Sequence, residues 1–331
     1  MIKQTVIRFI LVVLLLIPLS GNHLFSWGFF AHKRINRLAV FTLPPDMIGF
    51  YKRNLNYVTE HAVDPDKRRY VGKDEAPRHY IDIDHYGEGM AAFDEMPRKW
   101  SEAVQKYTED TLNAYGIVPW HIDVMMHRLT KAFSDKDHDR ILRYSSDMGH
   151  YIADAHVPLH TTENYNGAMT DQKGIHGFWE SRLPELFSDN YDFLVGRAVY
   201  IDEPLDFAWD FVMVSHSAKD SVLDMERALN AEWPSDQKYA MENRGQTLMK
   251  VYSQEYSKEY HDRMNGMVER RMRAAIHAIG SMWYTCWINA GQPDLSQMYD
   301  KELSAEEQEE MIELELQIKG ADGIKGRQHD D

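Results

Sequence analysis

Apolar residues recur through most of the chain at the three- and four-residue spacing of helices that bury one face. The stretch 32–43 shows this spacing first, for example at Ile35 and Leu38. Similar stretches follow at 44–57, 96–115, 119–133, 137–155, 174–187, 206–231, 238–260, 261–288 and 303–318. We find no stretch with the alternation typical of strands. The sequence therefore predicts an all-α fold, with a single multi-helix domain over 27–300.

Two parts of the chain depart from this pattern. Residues 61–89 combine many charges with Pro65, Pro77 and several glycines, which predicts a long loop carrying short structured pieces. Loops of that length within a compact domain are usually functional or disordered. Beyond the domain, residues 301–331 are predicted to form an acidic helix and a disordered tail.

The first 26 residues have the layout of a secretory signal peptide. A basic start with Lys3 and Arg8 precedes an apolar run over 9–19, which is too short for a comfortable membrane span. Small and polar residues follow, and Ser26 is a suitable residue before a cleavage point. We therefore expect a secreted or periplasmic protein that begins at Trp27 and keeps no transmembrane anchor. The alternative interpretation is an uncleaved N-terminal anchor.

The charge and the cysteine content narrow the possible functions. The chain has 37 Lys and Arg residues against 52 Asp and Glu residues, which gives a net charge of −15. Such a surface repels phosphate backbones, so no stable nucleic-acid partner is expected. Cys286 is the single cysteine, which excludes an internal disulfide and a paired-cysteine metal site. Any metal bound by this chain must therefore have nitrogen and oxygen ligands.

Metal-ligand residue types are densest between Gly149 and Glu180. His150 and Asp154 are four residues apart, and so are His176 and Glu180. On a helix this spacing places both side chains on one face, about one turn apart. Together with His160, these pairs are typical of a metal site, most plausibly zinc. His156 is left out, since helical geometry turns it about 200° away from Asp154.

Five ligands cannot hold several metal ions, and further donors lie upstream. A cleaved chain would offer the α-amino group and carbonyl of Trp27, and His32 follows five residues later. The irregular segment 61–89 brings further imidazoles and carboxylates, which are Asp64, Asp66, His79, Asp82, Asp84 and His85. Irregular backbone suits ligands that must converge on one point from different directions.

The order and spacing of these residues resemble the trinuclear-zinc phosphodiesterases. This superfamily joins bacterial zinc-dependent phospholipase C to the single-strand-specific zinc nucleases of fungi and plants. The matching positions run from Trp27 to Glu180, nearly half of the chain, and are Trp27, His32, Asp64, His79, His150, Asp154, His160, His176 and Glu180. Asp66 competes with Asp64 for one position, and the spacing to His79 favours Asp64.

The resemblance implies three zinc ions per chain in an all-α fold. The first would be held by Asp64, His79, His150 and Asp154. The second would be held by Trp27, His32 and Asp154, and the third by His160, His176 and Glu180. A hydroxide that bridges two zinc ions would attack phosphorus, with Asp64 and Asp154 as catalytic residues. Tyr80 and Asp82 would bind substrate, as in the nuclease branch.

The sequence leaves the choice of branch open. The His-Tyr-Ile-Asp segment that starts at His79 is similar to the nucleases, in which the corresponding residues contact a base. Glu180 as the last ligand, the short interval from His160 to His176 and the single cysteine are closer to phospholipase C. We expect a secreted zinc-dependent phosphodiesterase most like phospholipase C, acting on a phospholipid head group. The alternatives are a single-strand nuclease or 3′-nucleotidase, and a non-catalytic zinc-binding or helical structural protein of the envelope.

Overall fold

A computed structural model describes residues 28–244, 247–299, 301–321 and 323–325. The described chain is mostly helical, with one small two-stranded sheet, which confirms the prediction of a helical fold. The helices before the ligand-rich segment are α1 Gly28–Ala39, α2 Pro45–Arg53, α3 Leu55–Glu60, α4 Asp64–Arg68, α5 Ala91–Glu95, α6 Trp100–Tyr107, α7 Glu109–Tyr115, α8 Val118–Asp135 and α9 His138–Ala155. The later elements are α10 Ile175–Gly177, α11 Leu183–Phe187, α12 Pro204–Glu232, β1 Tyr239–Arg244, β2 Thr247–Tyr252, α13 Gln254–Arg263, α14 Met267–Asn289 and α15 Ala305–Lys319.

Helix α9 lies at the centre of the fold. It packs against α1, α8, α12 and α14, and residues on every side of it are buried. A helix that is buried all round has to satisfy its polar side chains from within the protein. The polar residues of α9 are therefore surrounded by neighbouring elements that can supply partners.

The first helix approaches α9 unusually closely. A Cβ atom at Gly149 would lie only 2.1 Å from Oδ1 of Asn36, while the amide nitrogen of Asn36 donates to the carbonyl oxygen of Ser146. Glycine is required here because any side chain would push α1 away from α9. The close approach brings His32 onto His150, and their rings stack with centroids 4.0 Å apart.

The prediction of a helix over 238–260 was wrong for its first half. Strands β1 and β2 form an antiparallel pair with Tyr239 opposite Tyr252, and α13 begins only after Ser253, whose hydroxyl accepts from the amide of Tyr256. Aromatic side chains across the strands explain the hairpin, since the rings of Tyr239 and Tyr252 are 5.0 Å apart. Tyr252 also stacks on Phe178, with centroids 3.8 Å apart, so the hairpin supports the helix that carries Glu180.

The segment 96–115 was predicted as one helix and contains two. Thr108 has a φ of 70°, which ends α6, and its hydroxyl caps α7 by accepting from the amide of Thr111. The segment 61–89 matches its prediction more closely. It holds α4 and three short 3₁₀ turns, at His61–Val63, Ala76–His79 and Ile83–His85.

The acidic helix predicted near the end of the chain is present as α15. Its Glu307 is buried and pairs with Arg143, and it also accepts a hydrogen bond from the hydroxyl of Tyr57. The predicted signal peptide, Trp27 and most of the predicted disordered tail lie outside the described residues. In the part of the chain that is described, no helix has the length and apolar character needed to cross a membrane.

Candidate metal centre

Histidine and carboxylate side chains from α9 and five other elements converge on one pocket. His32 comes from α1, and His79 ends the turn Ala76–His79. Helix α9 supplies His150 and Asp154. The remaining residues are His160 in the turn Pro158–Thr161, His176 in α10 and Glu180 in the π-helical turn Phe178–Arg182. All seven side chains are almost completely buried, apart from a small exposed part of Glu180.

One group of ligand atoms forms around the Oδ2 atom of Asp154. This oxygen lies 2.8 Å from Nδ1 of His79 and 3.1 Å from Nε2 of His150. Oδ1 of Asp66 lies 3.7 Å from both of these nitrogens. The four side chains thus present nitrogen and oxygen atoms to one small volume.

The second oxygen of Asp154 faces a different group. Oδ1 lies 3.2 Å from Nε2 of His32, and the same nitrogen lies 3.6 Å from Oε1 of Glu180. Asp154 and Glu180 line a pocket that Gly28 also lines. Because Gly28 starts α1, the beginning of the described chain lies at this site. A carboxylate with one oxygen in each of two groups is suited to bridge two cations.

The third group lies between α10 and the turn that follows it. Nε2 of His176 is 2.7 Å from Oε2 of Glu180, and Nε2 of His160 is 3.3 Å from the same oxygen. The predicted spacing of four residues between His176 and Glu180 holds, although the helix widens into a π-helical turn at this point. Such turns are rare and are frequent at functional sites. Arg182 fixes the turn from outside through two hydrogen bonds to Glu242 of β1.

Asp64, predicted as a ligand and a catalytic residue, does not reach these groups. Its carboxylate is hydrogen-bonded to Nδ1 of His61 at 2.5 Å and to Nζ of Lys67 at 2.7 Å. Burial would raise the pKa of Asp64, but the hydrogen bond with His61 and the charge of Lys67 lower it. Positions 64 and 66 point in nearly opposite directions on a helix, so only one can face the centre. Asp66 takes the place that the spacing had assigned to Asp64.

The hydrogen bonds around the imidazoles fix which nitrogen faces the carboxylates. Nδ1 of His150 lies 2.8 Å from the carbonyl oxygen of Ala62, and Nδ1 of His160 lies 2.6 Å from that of His79. A carbonyl oxygen only accepts, so Nδ1 of each ring carries a proton and Nε2 is the ring nitrogen that faces the carboxylates. This outer hydrogen bond is the usual arrangement of a metal-binding histidine.

The electrostatics of the pocket favour bound cations. Burial alone would lower the pKa of His32, but its hydrogen bonds with Asp154 and Glu180 raise it to about 10. Burial would raise the pKa of Asp154, yet the charges of His150 and His160 hold it well below its usual range. The pocket therefore stabilises positive charge on its nitrogens, either as protons or as metal ions that compete with them. Its residues fit a metal ion in donor type, burial and orientation.

Glu75 lies behind His79 and was missed by the sequence analysis. Its Oε1 is 3.7 Å from Nε2 of His79, the ring nitrogen that points away from the ligand groups. Glu75 also pairs with Arg78 at 2.7 Å and accepts a hydrogen bond from the hydroxyl of Tyr151. Burial would raise the pKa of Glu75, but the hydrogen bond with His79 and the charge of Arg68 lower it strongly. The four-residue spacing of Glu75 and His79 was the signal available in the sequence.

Tyr80 and Asp82, predicted to bind substrate, lie in an adjoining pocket. They line a cavity of about 450 Å³ together with Tyr115 and Tyr165. The cavity borders the ligand groups because Tyr80 directly follows His79, and the carbonyl oxygen of Tyr165 lies 3.3 Å from Nδ1 of His176. The structure thus places an aromatic, acid-containing pocket beside the ligand groups.

Comparison of the sequence with models of protein families and with curated proteins finds no match. The character of the site therefore follows from its residues alone. These residues form buried groups of histidine and carboxylate side chains that are positioned to bind a metal ion.

Proposed function

We propose that this protein is a secreted zinc-dependent hydrolase of phosphoric esters with three zinc ions in one pocket. The observation that carries this proposal is the position of Asp154, with Oδ2 beside His79 and His150 and Oδ1 beside His32. Paired cations that share a carboxylate are well suited to hydrolysing a phosphate ester, since they stabilise both the attacking and the leaving oxygen. Imidazole ligands combined with carboxylates are a donor set that suits zinc.

Each zinc ion has a defined set of residues in this proposal. The first set is Asp66, His79, His150 and Asp154, and the third is His160, His176 and Glu180. The second set contains His32 and Asp154, with the α-amino group and carbonyl of Trp27 once the chain is cleaved before it. Trp27 lies outside the described residues, but Gly28 next to it lines the pocket.

The residues around the ions also have roles in the reaction. Zinc supplies Lewis acidity and lowers the pKa of a water molecule toward neutrality. Asp66 is the ligand best placed to orient that water, because its side chain is more exposed than that of Asp154 and lines the mouth of the pocket. Arg69 lines the same pocket, with Nη1 3.6 Å from Oδ1 of Asp66, and would pair with a phosphoryl oxygen of the substrate.

Two substrate classes are candidates within this function. A phospholipid head group, as in phospholipase C, is favoured by Glu180 as the last ligand and by the short interval from His160 to His176. A single-stranded nucleic acid or a 3′-nucleotide is favoured by the pocket of Tyr80, Asp82 and Tyr115, in which aromatic rings and a carboxylate suit a base.

The proposal is tested by measuring metal content and turnover on the same preparation. We expect elemental analysis of the mature protein to find three zinc ions per chain. Release of phosphocholine from phosphatidylcholine, cleavage of single-stranded DNA and release of phosphate from 3′-AMP then assign the substrate class. Fewer than two zinc ions per chain would overturn the trinuclear proposal. Three zinc ions without turnover of any of these esters would favour the non-catalytic zinc-binding protein.

A further inference from the structure

The β1–β2 hairpin is attached to the π-helical turn both before and after Glu180 in the sequence. Two residues before it, the ring of Phe178 stacks on that of Tyr252 in β2, with centroids 3.8 Å apart and planes 13° from parallel. Two residues after it, Arg182 donates two hydrogen bonds to Glu242 of β1. The candidate ligand therefore lies between two attachments to a pair of strands about 60 positions further along the chain.

The attachment at Arg182 fixes direction as well as distance. Nη1 donates to Oε2 of Glu242 at 2.9 Å, and Nη2 donates to Oε1 at 2.5 Å. Paired hydrogen bonds of this kind allow only one relative orientation of guanidinium and carboxylate. Arg182 is buried, and its hydrogen bond is the main reason that the pKa of Glu242 lies below its ordinary value. Glu242 is therefore ionised at neutral pH and holds Arg182 as an ion pair.

The attachment at Phe178 is part of an aromatic cluster. Besides Tyr252, the buried ring of Phe178 has Tyr260 and Tyr256 of α13 as neighbours, with centroids 4.9 and 5.9 Å away. The hydroxyl of Tyr260 donates to the carbonyl oxygen of Val222 in α12 at 2.8 Å. The stack on Phe178 is thus anchored to one of the long helices of the fold, and it cannot shift independently of that helix.

The turn that carries Glu180 depends on such support. The carboxylate of Glu180 lies next to nitrogens of His32, His160 and His176, which are themselves candidate ligands. Once these side chains bind an ion, the direction of the carboxylate depends on the backbone that carries it. A π-helical turn is wider than an α-helical one, so relaxation to an α-helix would rotate Glu180 relative to His176.

We propose that Glu242 and Tyr252 are positioning residues, which hold Glu180 where it can bind an ion together with His160 and His176. This inference rests on the proposed function for the identity of the ion as zinc, whereas the support of the turn does not depend on turnover. The hairpin then sets the affinity of one zinc site and leaves the other two sites unchanged.

The test of the ion pair uses full-length variants. Glu242→Gln keeps the shape of the side chain but leaves Arg182 with one acceptor instead of two. Arg182→Lys keeps the positive charge but loses the paired geometry. Glu185→Gln is the matched control. Glu185 of α11 pairs with Arg244 of β1 at 3.1 Å, so this change breaks a second contact of the hairpin without touching the π-helical turn.

The aromatic attachment is tested separately. Tyr252→Leu removes the stacked ring but leaves an apolar side chain at the same position. Tyr252→Phe is its control, because a phenyl ring keeps the stack on Phe178. Circular dichroism and thermal unfolding of each zinc-loaded variant establish that the fold is retained.

The measurement is the affinity of each zinc site rather than activity alone. The zinc-loaded proteins are dialysed against increasing concentrations of a chelator of known affinity, and the remaining zinc is counted by elemental analysis. We expect Glu242→Gln, Arg182→Lys and Tyr252→Leu each to weaken the binding of one zinc ion per chain by about tenfold or more. Glu185→Gln and Tyr252→Phe should match the wild type.

A double variant identifies which zinc ion is affected. His176→Ala alone should remove the ion of the third group. Adding Glu242→Gln to His176→Ala should then cause no further loss of zinc, because both changes act on the same site. A further loss from the double variant would show that the hairpin acts on another site and would overturn the inference.

The outcomes separate this inference from the proposed function. Weaker binding of one zinc ion in Glu242→Gln, with no turnover by any protein, supports the positioning role and removes the proposed activity. Turnover with wild-type zinc binding in folded Glu242→Gln and Tyr252→Leu keeps the activity and overturns the positioning role. An equal loss in Glu185→Gln would also overturn it, as would a uniform loss from all three sites. A wild type that holds no zinc ion sensitive to His176→Ala would overturn both proposals.

Discussion

The Oδ2 atom of Asp154 lies 2.8 Å from Nδ1 of His79, although 75 positions separate the two residues in the sequence. The same carboxylate turns its other oxygen to His32 at 3.2 Å. Removal of this one side chain would therefore leave two of the proposed zinc sites incomplete. The loss of a shared ligand should remove more metal than the loss of a ligand that belongs to one site only.

We predict that Asp154→Ala lowers turnover by at least about 100-fold and removes two zinc ions per chain. His176→Ala should instead remove one, because His176 belongs only to the group with His160 and Glu180. Elemental analysis after dialysis gives the metal counts. Equal losses from the two variants would contradict a bridging role for Asp154.

Asp64 and Asp66 provide a matched pair of substitutions within one helix. We expect Asp66→Asn to lose metal and to lower kcat strongly, because its carboxylate faces His79 and His150. Asp64→Asn should keep its zinc and lose only its ion pairs with His61 and Lys67, at a cost of roughly 1 kcal/mol in the free energy of unfolding. Metal analysis and urea denaturation of both proteins measure these effects. The reverse order of effects would restore Asp64 as the ligand.

Glu75 is expected to act through His79. Glu75→Gln keeps the shape of the side chain but removes the charge behind Nε2 of His79, so we expect zinc affinity to fall about 10- to 100-fold. Competition with a chelator of known affinity measures the change. Arg78→Gln is the control, because it removes a partner of Glu75 while leaving its carboxylate in place. An unchanged zinc affinity in Glu75→Gln would exclude this role.

The N-terminus offers a test of the second ion site. We predict that one extra alanine before Trp27 lowers zinc content and turnover, because it would shift the proposed α-amino ligand by one residue. The control is Trp27→Phe with the normal cleavage point, which keeps both main-chain donors. An extended protein with normal zinc content and turnover would contradict a main-chain ligand at this position.

His121 should make the protein sensitive to acid. Burial, with a smaller effect from the charge of Arg78, lowers the pKa of His121 to about 3, from 6.5 in an exposed histidine. The unfolded chain therefore binds a proton that the folded protein excludes, and stability falls as the pH drops from 6.5 toward 3. The steepest loss is roughly 1.4 kcal/mol per pH unit.

His121→Phe should flatten this part of the stability curve, as measured by urea denaturation between pH 4 and pH 7. The ring of His121 packs edge-on against Tyr151 at 4.5 Å, and a phenyl ring keeps that contact. His127→Phe on the exposed face of α8 is the control and should leave the curve unchanged. If the two variants show the same dependence on pH, another group causes the acid sensitivity.

The sequence predicted the helical character of the fold and the pairs of candidate ligands that lie within one helix. Helical periodicity is a local property, so His150 with Asp154 and His176 with Glu180 could be recognised by their spacing alone. The choice between Asp64 and Asp66 depends on how α4 is rotated about its axis, which the packing of the whole segment decides. A pattern of spacings contains no information about that rotation.

Other features depend on contacts between distant parts of the chain. The β1–β2 hairpin looked helical because its aromatic residues fit either pattern, and it is stabilised by the stacking of Tyr252 on Phe178. The attachment of Lys325 to Arg69 and Val71 likewise has no local signal. Such contacts become visible only when the folded chain brings their two sides together.

Gly149 sets the distance between α1 and α9, although it is not itself a candidate ligand. Because a Cβ atom there would lie 2.1 Å from Oδ1 of Asn36, the close approach of α1 to α9 depends on glycine at this point. His32 is carried by one helix and His150 by the other, so this residue sets how closely two of the candidate ligands approach each other. A methyl group at position 149 would move His32 away from His150 without replacing any candidate ligand. The spacing of the candidate ligands is therefore set in part by a residue that has no side chain and binds nothing itself.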